Sequence, residues 1–552
     1  MNIAFKGQFL REGLLLNGHH VHDIELGEGR TLQDALRAAP VPIDLVVWEL
    51  FGAMSDLQAL TPCEQPVAAY CIDTPLNEFW LKNCVQNLDY VFVDQPQCVP
   101  ALSFGGRQAT WLPLPAQQSW FQPQREKSRD ITFIGTTNSH RAKRNNILRL
   151  LGSRYSVDIL SGLDMAESQK IFSESRIVLN ENFFPGLTLR VVQGLAAGSL
   201  VYTERSPYGH DFGLTDGQDL VLYDPHTILD RLGEVLKNPA DCAAIGRQGQ
   251  ERCRELFAGD RVAADLLSRI DLEKRRSPHA PGAPDVGDAL WNRLTSEVLF
   301  VQRFGGSFAH AMRGLEELAR SAPDRAAAAH VLMGDLKARI RRDDAALAHY
   351  HKALEIAPES VANLKLALLA IRRDEPASAL RSILAFLRHS PNLAGLEPEA
   401  LLAGGAPRPE MLLTAIASLF FSLGRTWDMG FNKDFADPVP DTAFEVARMS
   451  FARAPTAAAL ALMLQCLRPR HMQGELLPFL LTAIKKGLLS DARILDTARL
   501  AFEYYDRDTA AAIMGAMRAR QVFAAPGRDP KKGQKRGCIA ATPGNTGAEG
   551  QN

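Results

Sequence analysis

The thirty residues from Ser175 to Glu204, SRIVLNENFFPGLTLRVVQGLAAGSLVYTE, constrain the fold more than any other part of the chain. Ile177 to Leu179 is a short apolar run of strand type, and Pro185-Gly186-Leu187-Thr188 turns the chain out into a loop. A helix is expected from about Leu189 to Ala197, ended by Gly198 as a left-handed cap, with Leu200 to Thr203 as a second strand. Strand, helix and strand in so short a space make a parallel crossover unit. The helix start at Gly186, Leu187 and Thr188 would present about four free N–H groups beside the cation Arg190, an arrangement suited to a diphosphate. An ordinary βαβ unit with a solvated arginine accounts for the same residues.

The 552 residues suffice for three or four domains, and the formal net charge of −1 leaves no global field to draw the chain to nucleic acid or anionic membrane. MNIAFKGQFL starts directly as a strand rather than as a charged-then-apolar leader, and no run reaches the apolar length of a membrane span. The eight cysteines lack CxxC or other ligand spacing, which fits buried free thiols in a reducing cytosol. A soluble cytoplasmic protein is expected.

Residues 1 to about 125 alternate strand and helix: Asn2 to Phe5, His20 to Ile24, Asp44 to Trp48, Val67 to Ile72 and Tyr90 to Val93 are apolar runs of buried parallel strands. This alternation implies a doubly wound α/β domain, with Gly7, Glu49 and Asp73 on the rim where ligands bind. His19, His20 and His22 invite a metal reading, but alternation sends neighbours to opposite faces and no other ligand stands at suitable spacing. Pro75 suits the first turn of a helix, with Asp73 or Thr74 as N-cap; Asp73 is equally placed to act as a base toward an acceptor hydroxyl. Trp111 to Pro115 and the polar stretch to Arg129 read as a linker. A second α/β domain opens with Asp130 to Gly135. The turn Gly135-Thr136-Thr137-Asn138-Ser139 then leads into the basic helix HRAKRNNILRLLG, a generic anion-cradling arrangement in which Arg141, Lys143 and Arg144 could equally form a solvated face. A strand at Ser156 to Leu160 and a helix from Asp164 lead to the central unit. The strand Leu220 to Tyr223 and helices near 227–236 and 239–256 follow it.

Asn180, Gly186-x-Thr188-x-Arg190 and the small-residue helix ending at Gly198 resemble the nucleotide-sugar half of a GT-B glycosyltransferase. They are most similar to the spore-coat-maturation-type branch of the group 1 glycosyltransferases. CIDTPLNEFWLKN, DYVFVDQ and WLPLPA before this unit, and LTDGQDLVLYD and FAGDRVAADLL after it, extend the resemblance over residues 65–268. It implies a metal-independent hexosyltransferase-like enzyme with a nucleoside-diphosphate sugar as donor and no further cofactor. Gly135, Thr136, Asn180, Gly186, Leu187, Thr188 and Arg190 would hold the donor. Arg190 would also stabilise the leaving diphosphate, and Asp73 would act as base. Counting back from Gly198, the two glutamates that many group 1 enzymes carry fall on Gln193, toward the ribose, and on Pro185, toward the sugar. Gln193 would still meet the ribose through its amide, and Glu181 or Glu204 could stand in for the missing glutamate on the donor.

From about Asp288, after the joint SPHAPGAPDVGD, alanine- and leucine-rich helical patterns replace the strands. Pro323, Pro358 and Pro391 are spaced by 35 and 33 residues, close to the ~34-residue tetratricopeptide period. Met333-Gly334, Ala346, Tyr350 and Ala353 fall at the offsets that repeat needs, and Ala443 and Pro455 suggest a further copy beyond the insertion GRTWDMGFNKDFADPVP. Such repeats offer a protein-binding groove or a self-association surface, or simply a helical cap. The expected organisation is an α/β chain of two Rossmann-like domains, 1–125 and 126–275, followed by an all-α superhelix, 286–525, and a disordered tail, 526–552. The expected partners are the donor, a protein or glycan acceptor, and a protein partner or a second copy of the chain bound through the repeats. The rival reading is a catalytically idle scaffold acting through its repeats, and sugar-nucleotide epimerisation is a further enzyme alternative.

Overall fold

The structure, a computed structural model, describes residues 1–26, 31–52, 57, 60–121, 125–138, 141–272, 286–304, 308–390, 408–427 and 439–524. Ser139, most of the joint before Asp288, Pro391, the centre of the insertion after Gly424 and the whole tail lie outside these residues.

Two parallel sheets account for the first half. The first contains β1 (Asn2–Lys6), β2 (His20–Asp23), β3 (Leu45–Leu50), β4 (Val67–Cys71), β5 (Tyr90–Val93) and β6 (Thr110–Trp111), in the order β2-β1-β3-β4-β5-β6. The second contains β7 (Arg129–Ile134), β8 (Asp158–Leu160), β9 (Ser175–Asn180), β10 (Leu200–Glu204) and β11 (Val221–Tyr223), in the order β11-β10-β9-β7-β8. Both are Rossmann-like, and together they form the GT-B-like pair expected. The stretch from Trp111 is not a linker: β6 adds a sixth strand to the first sheet, and Leu112, Leu114 and Ala116 beyond it are buried. Their apolar alternation serves a sheet edge and the seam between lobes.

Helices cover the sheets: α1 (Arg11–Leu16), α2 (Leu32–Arg37) and α3 (Thr74–Cys84) in the first lobe, α4 (Ala142–Gly152), α5 (Met165–Glu174), α6 (Leu189–Ala196), α7 (Ile228–Lys237) and α8 (Pro239–Phe257) in the second. Asp164 caps α5 with a reciprocal capping box, and Gly198, at φ 67°, ends α6 as its sequence required. The chain then returns to the first lobe. In α9 (Gly259–Ser268) a β-carbon on Gly13 would lie 2.1 Å from the Gly259 carbonyl, so α1 and α9 touch backbone to backbone. One apolar cluster joins Phe5, Leu112 and Leu114 to Leu187, Val191 and Phe257, so the lobes share a core.

The helical region begins with α10 (Val286–Phe304), which packs on α3: Ser296 donates to the Trp80 carbonyl at 2.8 Å and Phe300 meets the Trp80 ring edge-on. It continues with α11 (Phe308–Ser321), α12 (Pro323–Arg339), α13 (Asp343–Ile356), α14 (Ala362–Arg372), α15 (Pro376–His389), α16 (Pro409–Ser422), α17 (Ala443–Arg453), α18 (Ala457–Leu467), α19 (Leu477–Lys485), α20 (Asp491–Glu503) and α21 (Arg507–Ala524). Consecutive helices pair: α12 with α13 and α14 with α15. Gly334 admits the Tyr350 ring, which a β-carbon would meet at 2.4 Å, and Ala346 and Ala353 are buried beside it. Among the described residues no helix is long and apolar enough to cross a membrane, and the seven cysteines are all free thiols.

Candidate active site

In the second sheet the strand order reverses between β7 and β9, and in open α/β sheets a ligand crevice lies at such a point, beyond the strands' C-terminal ends. Gly135 follows β7, and Asn180 ends β9. Arg190, in the first turn of α6, lies across this point: its Nε donates to the Ile134 carbonyl at 2.8 Å and its Nη1 to Asn180 Oδ1 at 2.7 Å. The guanidinium stands 4.4 Å from the Phe133 ring centre, a cation–π contact. A β-carbon on residue 135 would come within 2.6 Å of Arg190 Nη2, so only glycine leaves room for this placement. Asn180 is fully buried and orders the strand end: it also accepts from the Thr188 hydroxyl and donates to Thr203. Thr188 therefore ties the loop to β9 and does not cap α6.

The basic helix α4 is no solvated face. Arg144 is buried, donating from Nε to Glu181 at 2.9 Å and from Nη1 to the Thr136 carbonyl at 2.7 Å. Lys143 donates to Glu204 Oε2 and to the Asn182 carbonyl, each at 2.7 Å. Arg141 lies 3.6 Å over the Phe183 ring, and its buried Nη1 has no hydrogen-bond partner. Thus two of the cations, Lys143 and Arg144, carry their own carboxylates, whereas Arg141 and Arg190 make no ion pair among the described residues. Burial and the like charge of Arg144 pull Arg190 down to about 9 and also depress Arg141, which leaves both cationic at neutral pH. The segment from Arg141 to Arg144 does not by itself separate a solvated face from an anion cradle, because the choice depends on Glu181, Glu204 and Phe183, which the fold brings up from other elements.

The expected row of free N–H groups is shorter than the sequence suggested. Gln95, just after β5, accepts from the Leu187 N–H at 3.0 Å and donates back to the Leu187 carbonyl at 2.8 Å. Gln97 donates to the Pro185 carbonyl at 2.5 Å. The loop before α6 is thereby clamped to the first lobe, and a β-carbon on Gly186 would strike Gln95 at 2.3 Å. No local signal marks this pairing, since 92 residues separate the partners.

Across the clamp stands Asp73, half-buried and in the left-handed region at φ 50°. Asp73 holds the N-cap position of α3, as one of the two expected alternatives, but not through its side chain. Asp73 makes no side-chain cap bond, and Thr74 is already helical. The capping acceptor is instead Asp94, at the end of β5, which accepts from the N–H groups of Asp73 and Thr74 and from the Thr74 hydroxyl. The Asp73 carboxylate is left out of the cap, within electrostatic reach of Arg141. Burial, and then the charge of Asp94, raise it to about 7, with Arg141 opposing them. Glu49 is spoken for: it accepts from the N–H groups of Gln8, Phe9 and Leu10, which fills the corresponding crevice of the first sheet. A β-carbon on Gly7 would meet it at 2.6 Å.

Gln193 is buried, with its amide directed to Met165 Sδ at 3.3 Å. Glu204 has Lys143 and the Asn182 N–H on one oxygen and the Tyr505 hydroxyl, from the helical region, on the other. Pro185 helps line a cavity of about 280 Å³ at the junction of all three parts, with Leu76, Gln97, Phe184, Trp427 and His471 among its walls. No group of three or more His, Cys, Asp or Glu side chains among the described residues could hold a metal ion, the β2 histidines included.

Residues 121–268 match a family model described as glycosyl transferase-like. No curated protein matches the chain. Among solved structures it is similar to sucrose-phosphate synthase from Thermosynechococcus elongatus, at 14% identity over 49% of this chain and 98% of that one, with a TM-score of 0.34. HepE from Anabaena, in complex with UDP and glucose, is 10% identical over 49% of this chain and 100% of its own, TM-score 0.34. AviGT4, a glycosyltransferase involved in avilamycin A biosynthesis, is 13% identical over 49% and 96%, TM-score 0.34. The segment similar to the glycosyl transferase-like family is the one that builds the second lobe and carries Gly135, Asn180, Arg190 and the cations of α4.

Proposed function

We propose that the chain transfers a sugar from a nucleoside-diphosphate donor to an acceptor held between the two lobes. The carrying observation is the pair Arg141 and Arg190: two part-buried guanidinium groups that make no ion pair among the described residues, gathered beside the switch point of the second sheet. Cations drawn part-way out of water with no carboxylate in contact are costly, and a diphosphate supplies a close opposite charge. As the bond from the sugar's anomeric carbon to the diphosphate oxygen breaks, negative charge grows on that oxygen, and cations already in place stabilise it. Asp73 stands across the gap, where it accepts the proton of the attacking acceptor hydroxyl. Gly135 and Thr136 supply backbone close to the phosphates, and Gly186, Leu187 and Thr188 lead into α6. Gln193 and Glu204 belong to the ribose side of the same lobe. The paired helices, read as tetratricopeptide-like repeats, present or select the acceptor. In this reading the functional units are 1–125, 126–275 and 286–525.

The second reading, an idle scaffold, draws on Pro185 and Gln193 in the glutamate positions and on Gln95 holding the Leu187 N–H. Titration with UDP and the other nucleoside diphosphates, followed by thermal unfolding, separates the two. A ligand of the folded state raises the melting temperature, and Arg141→Ala reduces that rise, measured against the variant's own ligand-free melting temperature. No shift with any nucleoside diphosphate, or an equal shift in Arg141→Ala and Arg190→Ala, overturns the transferase reading.

A further inference from the structure

The helical region reaches the same cations. Between α18 and α19 the chain makes a short turn, Gln473–Leu476, packed against α4. Its position is fixed from several sides. A β-carbon on Gly474 would lie 2.0 Å from the Tyr504 ring, so turn and ring are in direct contact. Asn146 of α4 donates to the Tyr504 carbonyl at 3.0 Å, and Lys143 Nζ stands 5.8 Å from the Tyr504 ring centre. The Tyr505 hydroxyl donates to Glu204 at 3.2 Å, with its ring edge-on to Tyr223. Glu475 is thereby held half-buried beside α4. Arg141, Lys143 and Glu181 all lie within its electrostatic reach, and it makes no ion pair among the described residues.

We propose that Glu475 sets the affinity of the donor site: the helical region holds its carboxylate against the N-terminal turn of α4, where its charge opposes an entering diphosphate. This rests on the diphosphate reading given above and deepens it, since it makes the helical region part of the donor site. Arg141 then faces two carboxyls, Asp73 from the first lobe and Glu475 from the third part of the chain. Like charges in a partly desolvated site repel appreciably. Burial is the main force on Glu475 and raises it to about 7, with Lys143 and Arg141 drawing it down and Glu181 pushing it up, so it is ionised above that pH.

The test is calorimetric titration of the full chain with UDP and with inorganic pyrophosphate at about pH 8, above the Glu475 value, in low salt. Glu475→Gln keeps the shape and removes the charge; Glu475→Lys reverses it. Affinity for both probes is expected to rise roughly fivefold in Glu475→Gln and further in Glu475→Lys, a graded gain that loss of a structural contact does not produce. Affinities equal to or below wild type in both variants, with Arg190→Ala still abolishing binding, overturn the proposal while leaving the diphosphate site intact. Equal binding by wild type and Arg190→Ala overturns both.

Discussion

Arg190 Nη2 stands 2.6 Å from the point where a β-carbon on residue 135 would be. The α-hydrogen face of one glycine is thus the floor on which the guanidinium lies. Gly135→Ala must displace Arg190 from the Ile134 carbonyl and Asn180. Overpacking of this kind costs about 1–3 kcal/mol of stability, and diphosphate affinity should fall at least about tenfold, the equivalent of ~1.4 kcal/mol. Denaturant unfolding and UDP titration check the two effects.

Asp73 predicts a pH dependence. As the proposed base it acts when ionised, so kcat/KM should rise as pH climbs through about 7, and Asp73→Asn should lose that limb along with most of the activity. Stability runs the other way. A carboxyl whose folded value lies above its unfolded one favours folding while protonated. That contribution is full below the unfolded value of 3.8 and is lost as pH rises through about 7. Asp73→Asn should therefore unfold at a higher temperature than wild type at alkaline pH, with the difference vanishing in acid.

Gln95 holds the loop before α6 to the first lobe with two hydrogen bonds to one residue. Gln95→Ala removes both, at about 1–3 kcal/mol for buried groups left unpaired, and loosens the seam. Hydrogen exchange at Leu187 should accelerate in this variant, while exchange in the centre of β9 stays as in wild type.

In the helical region Lys365 is fully buried, 3.2 Å from Asp335 and 3.0 Å from Asp441. Asp335 also accepts from Tyr350, whose ring fills the gap left by Gly334. Lys365→Met removes the positive charge that balances Asp335 in the helical core. Removing one partner of a buried pair costs about 3–5 kcal/mol, read as an earlier unfolding transition in circular dichroism.

The strand–helix–strand unit at 175–204 was legible because its signals are local: apolar runs, a loop-forming Pro-Gly and a glycine at the helix end. The pairing of helices around Met333, Gly334 and Tyr350 was legible from periodicity. What escaped was whatever depends on distant partners. Asp73 takes the N-cap position of α3, but the side chain that satisfies the free N–H groups there is Asp94, brought in from the end of β5. The cations of α4 looked equally like a wet surface, because the carboxylates and rings that enclose them come from β9, β10 and the loop beyond. Tyr505 and Glu204 are 301 residues apart, and no window on the sequence joins them.

One feature of the architecture reaches past the site itself. The helical stack grips the first lobe through Ser296 and Phe300 and the second through Tyr505, like a strut fastened to both leaves of a hinge. Any swing that parts the leaves has to bend or slide that strut. A partner that bends or slides the superhelix would therefore strain both attachments at once.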